Sequence, residues 1–217
     1  MSVTLTNTSL IGCSVPADIL TGVFFDVSGN TALTQISAII ANGSFRVNTN
    51  GNAPVAGNVG GEWDYARANS GTLSGVSQKQ GISSSGLGIF ADGSFNGPEL
   101  DGPPNGAVDG MQYGLLSAGG RALNANAALF SNDFVQNSVV FTLSGIANLN
   151  DNTNLAALFS NIRFQYGTDL SEPSFGGNPD GGPNPVPVPA GVLLMGLGGI
   201  CLAGYKVRRN RKVAKLA

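Results

Sequence analysis

Between residue 3 and residue 166 apolar and polar positions alternate in short runs broken by turn-forming residues, a period-two pattern that predicts β-strands. Residues 3–8, VTLTNT, form the first such run. Residues 20–27, LTGVFFDV, form the second, closed by Ser28, Gly29 and Asn30. A third run covers 33–41, and Asn42 with Gly43 turns it into a fourth over 44–48; the four together predict an antiparallel meander. Residues 49–60 are loop. In 61–67, GEWDYAR, Trp63 and Tyr65 share one face and Glu62 and Asp64 the other, which predicts aromatics toward a core and acids toward water. Further strands are predicted at 86–91, 111–117, 138–146 and, after a helical turn, 155–166. In the last of these Ile162, Phe164 and Tyr166 share a face. Residues 122–130 fit either a short helix or a strand, and 150–154 a turn. The stretch 92–110, DGSFNGPELDGPPNGAVDG, is a long loop, and long loops in compact domains are often functional.

Eight or more short strands at roughly 8–12-residue spacing predict an all-β fold, an antiparallel β-sandwich or jelly roll over residues 1–168. From Thr168 onward the sequence predicts a Gly/Pro-rich linker over 169–189. Pro185, Pro187 and Pro189 forbid helix there. An apolar run over 190–205 then contains no charged residue, and a basic cluster over 206–217 follows it, with Lys206, Arg208, Arg209, Arg211, Lys212 and Lys215. The run is apolar on all sides rather than on one stripe, which favours a transmembrane helix over a buried amphipathic one. At about 1.5 Å per residue it spans roughly 24 Å, short of the ~30 Å hydrocarbon layer, so it suits a transient anchor held by snorkelling cations. The positive-inside rule keeps the basic cluster cytoplasmic and places the rest of the chain outside.

Proline triplet, apolar run and arginine cluster, in that order, resemble the PEP-CTERM sorting signal of bacterial exosortase substrates. The VPLPA form is matched by Val186, Pro187, Val188, Pro189 and Ala190, with Val188 in place of the usual leucine. The resemblance covers about thirty residues. It implies a precursor parked in inner-membrane lipid until an exosortase cuts near the proline motif, releasing a surface or extracellular-matrix protein of the kind found in biofilms. Two segments of the domain, ADILTGVFFDVSGN and NIRFQYGTDLSEP, also look similar to exosortase-dependent surface proteins, and no enzymatic activity comes with that likeness.

Composition narrows the chemistry. Among 217 residues there are 32 glycines, 11 prolines and only 11% charged residues, which fits a turn-rich β-protein. Residues 1–205 hold five of the eleven basic side chains and all thirteen acidic ones, a net charge of −8, so nucleic acid is not an expected partner. The absence of histidine removes Ser-His-Asp and Cys-His catalysis and makes zinc chemistry a poor fit. Cys13 and Cys201 do not form a disulfide framework, since Cys201 lies in the apolar run. The opening residues lack the basic and apolar regions of a secretory signal, so export requires a leader upstream of Met1. Leu10, Ile11, Gly12 and Cys13 spell a lipobox-like LIGC, against which Cys13 reads more simply as an ordinary thiol of the fold.

Three groupings carry candidate chemistry. Asp92, Ser94, Asn96 and Gly97 reproduce the opening spacing of a calcium loop, where alternate oxygens converge. Pro103 stands where the closing glutamate belongs, so Asp101 and Asp109 would have to complete a calcium site of another kind. Solvated turn-forming acids are the competing account. Glu62 and Asp64, on one strand face roughly 6–7 Å apart, have the separation of a glycosidase pair. Trp63, Tyr65, Tyr113 and Tyr166 would serve as a sugar-stacking platform or, more simply, as core. The expected function is therefore a non-enzymatic surface or matrix protein, and the alternative is a secreted exopolysaccharide-binding module, calcium-dependent if the acidic loop holds the ion.

Overall fold

The computed structural model describes residues 1–9, 12–48, 57–100, 108, 110–117, 129, 132–147, 149 and 153–177. The fold is all-β and sandwich-like, with no α-helix among the described residues. Eleven strands run in chain order: β1 (Ser2–Thr6), β2 (Leu20–Val27), β3 (Thr34–Ile40), β4 (Phe45–Asn48), β5 (Asp64–Arg67), β6 (Gln80–Ser83), β7 (Leu115–Leu116), β8 (Asp133–Gln136), β9 (Ser138–Ser144), β10 (Phe159–Tyr166) and β11 (Ser174–Gly177).

One sheet is antiparallel, with β9 between β1 and β3. The other runs β11-β10-β2-β7-β8-β4, with β7 and β8 parallel, and a branch of β6 and β5 leaves the β2 edge beyond its contact with β7. A core between the sheets gathers Leu5, Ala38, Val139, Phe141 and Leu143 from the first sheet with Val23, Phe25, Val27, Ile82 and Val135 from the second. This alternation follows from the sequence: in β9 the residues Val139, Phe141 and Leu143 point inward, while Val140 and Thr142 are half-buried on the other face.

β2 has no solvent face. Its even-numbered Phe24 points away from the inter-sheet core into a second apolar cluster with Leu73, Val76, Leu87, Phe90 and Val108, stacking on Phe90 at a ring distance of 5.9 Å. That double burial explains why the run reads as almost continuously apolar. Gly81 lies opposite Phe24, and a Cβ there would fall 2.7 Å from the phenyl ring, so the glycine makes room for it.

Several elements differ from the sequence expectation. The first four strands are not a meander: β1 and β3 flank β9, β2 pairs with β10, β6 and β7, and β4 pairs with β8. The turn Ser28–Asn30, with Gly29 and Asn30 at positive φ, carries the chain from one sheet to the other, so β2 and β3 cannot be neighbours. Residues 86–91 form a turn, because Leu87 and Gly88 both adopt positive φ and the amides of Ile89 and Phe90 both bond to the Gly86 carbonyl. Of residues 111–117 only Leu115–Leu116 is strand. Within the stretch read as linker, β11 pairs with β10, and Phe175 meets Tyr166 edge-on at 5.5 Å. The intervening turn is closed by the Glu172 carboxylate, which accepts the Thr168 and Asp169 amides, so ordered sheet continues through Gly177. The expectations for 49–56, 122–128 and 150–152, the rest of the linker and the apolar run lie outside the described residues.

Candidate functional site

The first half of the acidic loop is docked, backbone against backbone, on the segment leading into β5. A Cβ on Gly93 would fall 1.9 Å from the Gly61 carbonyl oxygen, and one on Gly61 2.4 Å from that of Pro98. The Asn58 amide donates to the Asn96 carbonyl at 2.9 Å, and the Ser94 amide to the Trp63 carbonyl at 3.0 Å. Phe95 and Trp63 both enter the core and meet the Phe141 ring at 5.3 and 5.0 Å.

This docking changes the roles of the acids. Glu62 and Asp64 were expected to face water, yet they are only 7% and 9% exposed. Glu62 sits in the 3₁₀ turn Gly60–Glu62 and its carboxylate accepts the Leu100 amide. Asp64 accepts the amides of Tyr65 at 2.7 Å and of Ala91 at 3.1 Å. A loop folded over that face brings backbone donors that need acceptors, and the two carboxylates supply them. Replacing Glu62 by Ala leaves the Leu100 amide without its partner and is expected to destabilise the domain by about 1–3 kcal/mol. Hydrogen exchange should show faster exchange at Leu100 while the Phe141 amide keeps its protection; unchanged exchange at Leu100 would refute the capping role.

Of the candidate calcium ligands, Asp92, Ser94 and Asn96 are exposed on the docked segment. The Ser94 hydroxyl accepts the Tyr65 amide at 3.0 Å, and the Asn96 backbone bridges to Ser37 of β3. Close approach of the two segments requires glycine at Gly97, since a Cβ there would lie 2.5 Å from the Gly60 nitrogen. Asp101 and Asp109 lie outside the described residues. Among the described residues no group of three or more His, Cys, Asp or Glu side chains is arranged to hold a metal. The sorting residues Val186, Pro187, Val188, Pro189 and Ala190, and the basic residues Lys206, Arg208, Arg209, Arg211 and Lys212, also lie outside them. Among the described residues no helix is long and apolar enough to cross a membrane.

No family model, characterised protein or solved structure matches the chain.

The aromatic residues divide between core and polar network. Trp63 and Tyr113 are fully buried. The Tyr65 hydroxyl donates to Gln80 Oε1 at 2.8 Å and accepts the Leu33 amide at 3.1 Å. Burial raises the pKa of both Tyr65 and Tyr166, which keeps the phenols protonated. Cys13 is buried beside Ile19, Leu116, Leu129 and Phe134, and its thiol points to the Asp18 carbonyl at 3.4 Å. Burial pushes this thiol up as well, so the thiolate is suppressed and the side chain behaves as a core residue. Leu10 and Ile11 lie outside the described residues.

A polar centre without a sequence motif lies under the β10–β11 turn. Gln165 is fully buried and donates to the carbonyls of Tyr166 at 2.8 Å and Asp169 at 3.0 Å, while its oxygen accepts from Arg163 at 2.9 Å. Arg163 also reaches the Leu170 carbonyl at 3.2 Å. Strand alternation put Arg163 and Gln165 opposite Ile162, Phe164 and Tyr166, and that was its only signal in the sequence. These bonds stitch the turn to β10.

Proposed function

We propose that the chain is an exported bacterial surface or extracellular-matrix protein, sorted and cut by an exosortase through its C-terminal tail, with no catalysis of its own. The single observation that carries this reading is the order of three sequence features: the proline motif Val186 to Ala190, an uncharged apolar run of sixteen residues, and six basic side chains with no acid among them. In this reading the apolar run is a membrane helix, the basic cluster stays in the cytoplasm, and the β-domain is a jelly-roll-like sandwich outside the cell. Two further features support it. More than half of the chain's cations are concentrated after residue 205, where the positive-inside rule needs them. The buried carboxylates Glu62 and Asp64 are occupied by backbone amides, in keeping with a structural role.

The test is processing in an exosortase-bearing host, with the chain placed behind a secretory leader. Changing Pro187 and Pro189 together to Ala allows helix to extend into the motif, and full-length precursor is expected to accumulate in the inner membrane. Processing at the unmodified rate would remove the sorting assignment.

A further inference from the structure

β1 ends its sheet, and the geometry of its hydrogen bonds leaves one edge open. Met1 and Leu143 exchange bonds of 2.8 and 2.9 Å, and the Asn7 amide donates to the Asn137 carbonyl at 3.0 Å. With Val3 opposite Phe141 and Leu5 opposite Val139, the odd-numbered residues of β1 form the hydrogen-bonded pairs with β9. The amides and carbonyls of Ser2, Thr4 and Thr6 therefore point away from β9, and no described strand pairs with them.

The other edges of the two sheets are guarded in ways that β1 is not. The outer side of β3 is bridged by Asn58 and Asn96, and its Ile40 amide donates to the Gly57 carbonyl at 2.9 Å. β4 carries Arg46, paired with Asp133 at 3.5 Å, and β5 carries Asp64 and Arg67. β11 is four residues long and ends in two glycines. Natural sheets block edge-to-edge joining with charge, proline, bulges, cover or shortness. β1 has no charge, proline or bulge, and β1, β9 and β3 together contain no ionisable side chain. Their outer face carries the rows Ser2–Thr142–Ser37 and Thr4–Val140–Ile39, with Ile36 and Ile39 about 40% exposed.

We propose that β1 is a self-association edge: two copies of the chain join antiparallel through Ser2–Thr6, with Thr4 opposite Thr4 of the second copy and Ser2 opposite its Thr6. The open backbone groups specify a β-strand as the occupant. Two observations specify a second copy. The strand is self-complementary about Thr4, so a twofold register sets hydroxyl side chains against one another at all three outward positions. In addition, a chain with net charge −8 before its basic cluster repels its own copies, and the uncharged sheet is where two copies approach without like-charge contact.

Light scattering and sedimentation of the full-length chain in detergent, over a dilution series, test this. The unmodified chain is expected to be a reversible dimer. Thr4→Lys is expected to raise the dimer dissociation constant at least about tenfold, as loss of one or two net hydrogen bonds would. Thr4→Pro removes an outward amide while leaving the odd-residue bonds to β9 in place, and is expected to do the same with an unchanged Trp63 fluorescence melt. A chain that is monomeric throughout overturns the proposal, and so does a dimer that survives both substitutions, the result expected if the apolar tail drives association. Should Thr4→Pro fail to fold, Thr4→Lys decides alone.

Discussion

Phe141→Ala is expected to destabilise the β-domain by about 3–5 kcal/mol, a large part of the roughly 5–15 kcal/mol that holds an ordinary domain together. Phe141 has no exposure, lies at the middle of β9 between Val3 and Ala38, and receives the rings of both Trp63 and Phe95. Those two rings come from the segments that dock the acidic loop onto β5, so a cavity at this point loosens the inter-sheet core and the loop together. Trp63 is the only tryptophan in the chain, and its fluorescence during urea denaturation reads the change at the contact itself. The midpoint should fall steeply for Phe141→Ala. For Thr142→Ala, one residue away on the half-buried outer face, the change should stay below about 1 kcal/mol. Equal effects of the two substitutions would contradict the assignment of faces in β9.

Deletion of residues 208–215 is expected to abolish stable membrane retention of the precursor on the proposed reading. The apolar run is short for a bilayer, so what holds it is less its area than the cost of moving cations through hydrocarbon. Each such cation costs about 2.5–3.5 kcal/mol on insertion scales. The deletion removes Arg208, Arg209, Arg211, Lys212 and Lys215 at once and leaves Lys206 as the only stop. Fractionation should show the truncated chain released before cleavage, and a membrane fraction equal to that of the intact chain would count against the charge argument.

How much of this was legible in the sequence depended on which physical signal each feature leaves. Strand position was readable where one face is buried: residues 20–27 match β2 to the residue, and the alternation of Val139, Phe141 and Leu143 located β9. Pairing was not readable, because alternation fixes which side of a strand is apolar and says nothing about which strand lies beside it. The error over Glu62 and Asp64 has the same root. A period-two pattern assigns the face opposite Trp63 to water, but here a glycine-rich loop lies on that face and fills it with amides. The glycines that permit this contact were read otherwise in the sequence, Gly61 as the first residue of a strand and Gly93 as part of a long loop. Likewise the stretch from Thr168 looked like linker because Gly, Pro and Ser dominate it. The stitching by Gln165 and Glu172 that orders it requires partners from the β10–β11 turn. Asp92, Ser94 and Asn96 have the spacing of a calcium loop, and the Gly97 of that motif lies in close backbone contact with Gly60. The tail's proline motif, apolar run and charge cluster lie outside the described residues, and the reading built on them stands as the proposal above.

Sidedness of the tail tests the central claim most directly. In cells lacking an exosortase, the chain is placed behind a secretory leader with both native cysteines removed as Cys13→Ala and Cys201→Ser, and single cysteines are introduced as Asp180→Cys and Ala214→Cys. A membrane-impermeant maleimide is then added to spheroplasts. The account expects Asp180→Cys to be labelled and Ala214→Cys to stay protected until the membrane is permeabilised. Labelling of both, protection of both, or recovery of the intact chain in the soluble fraction would contradict it.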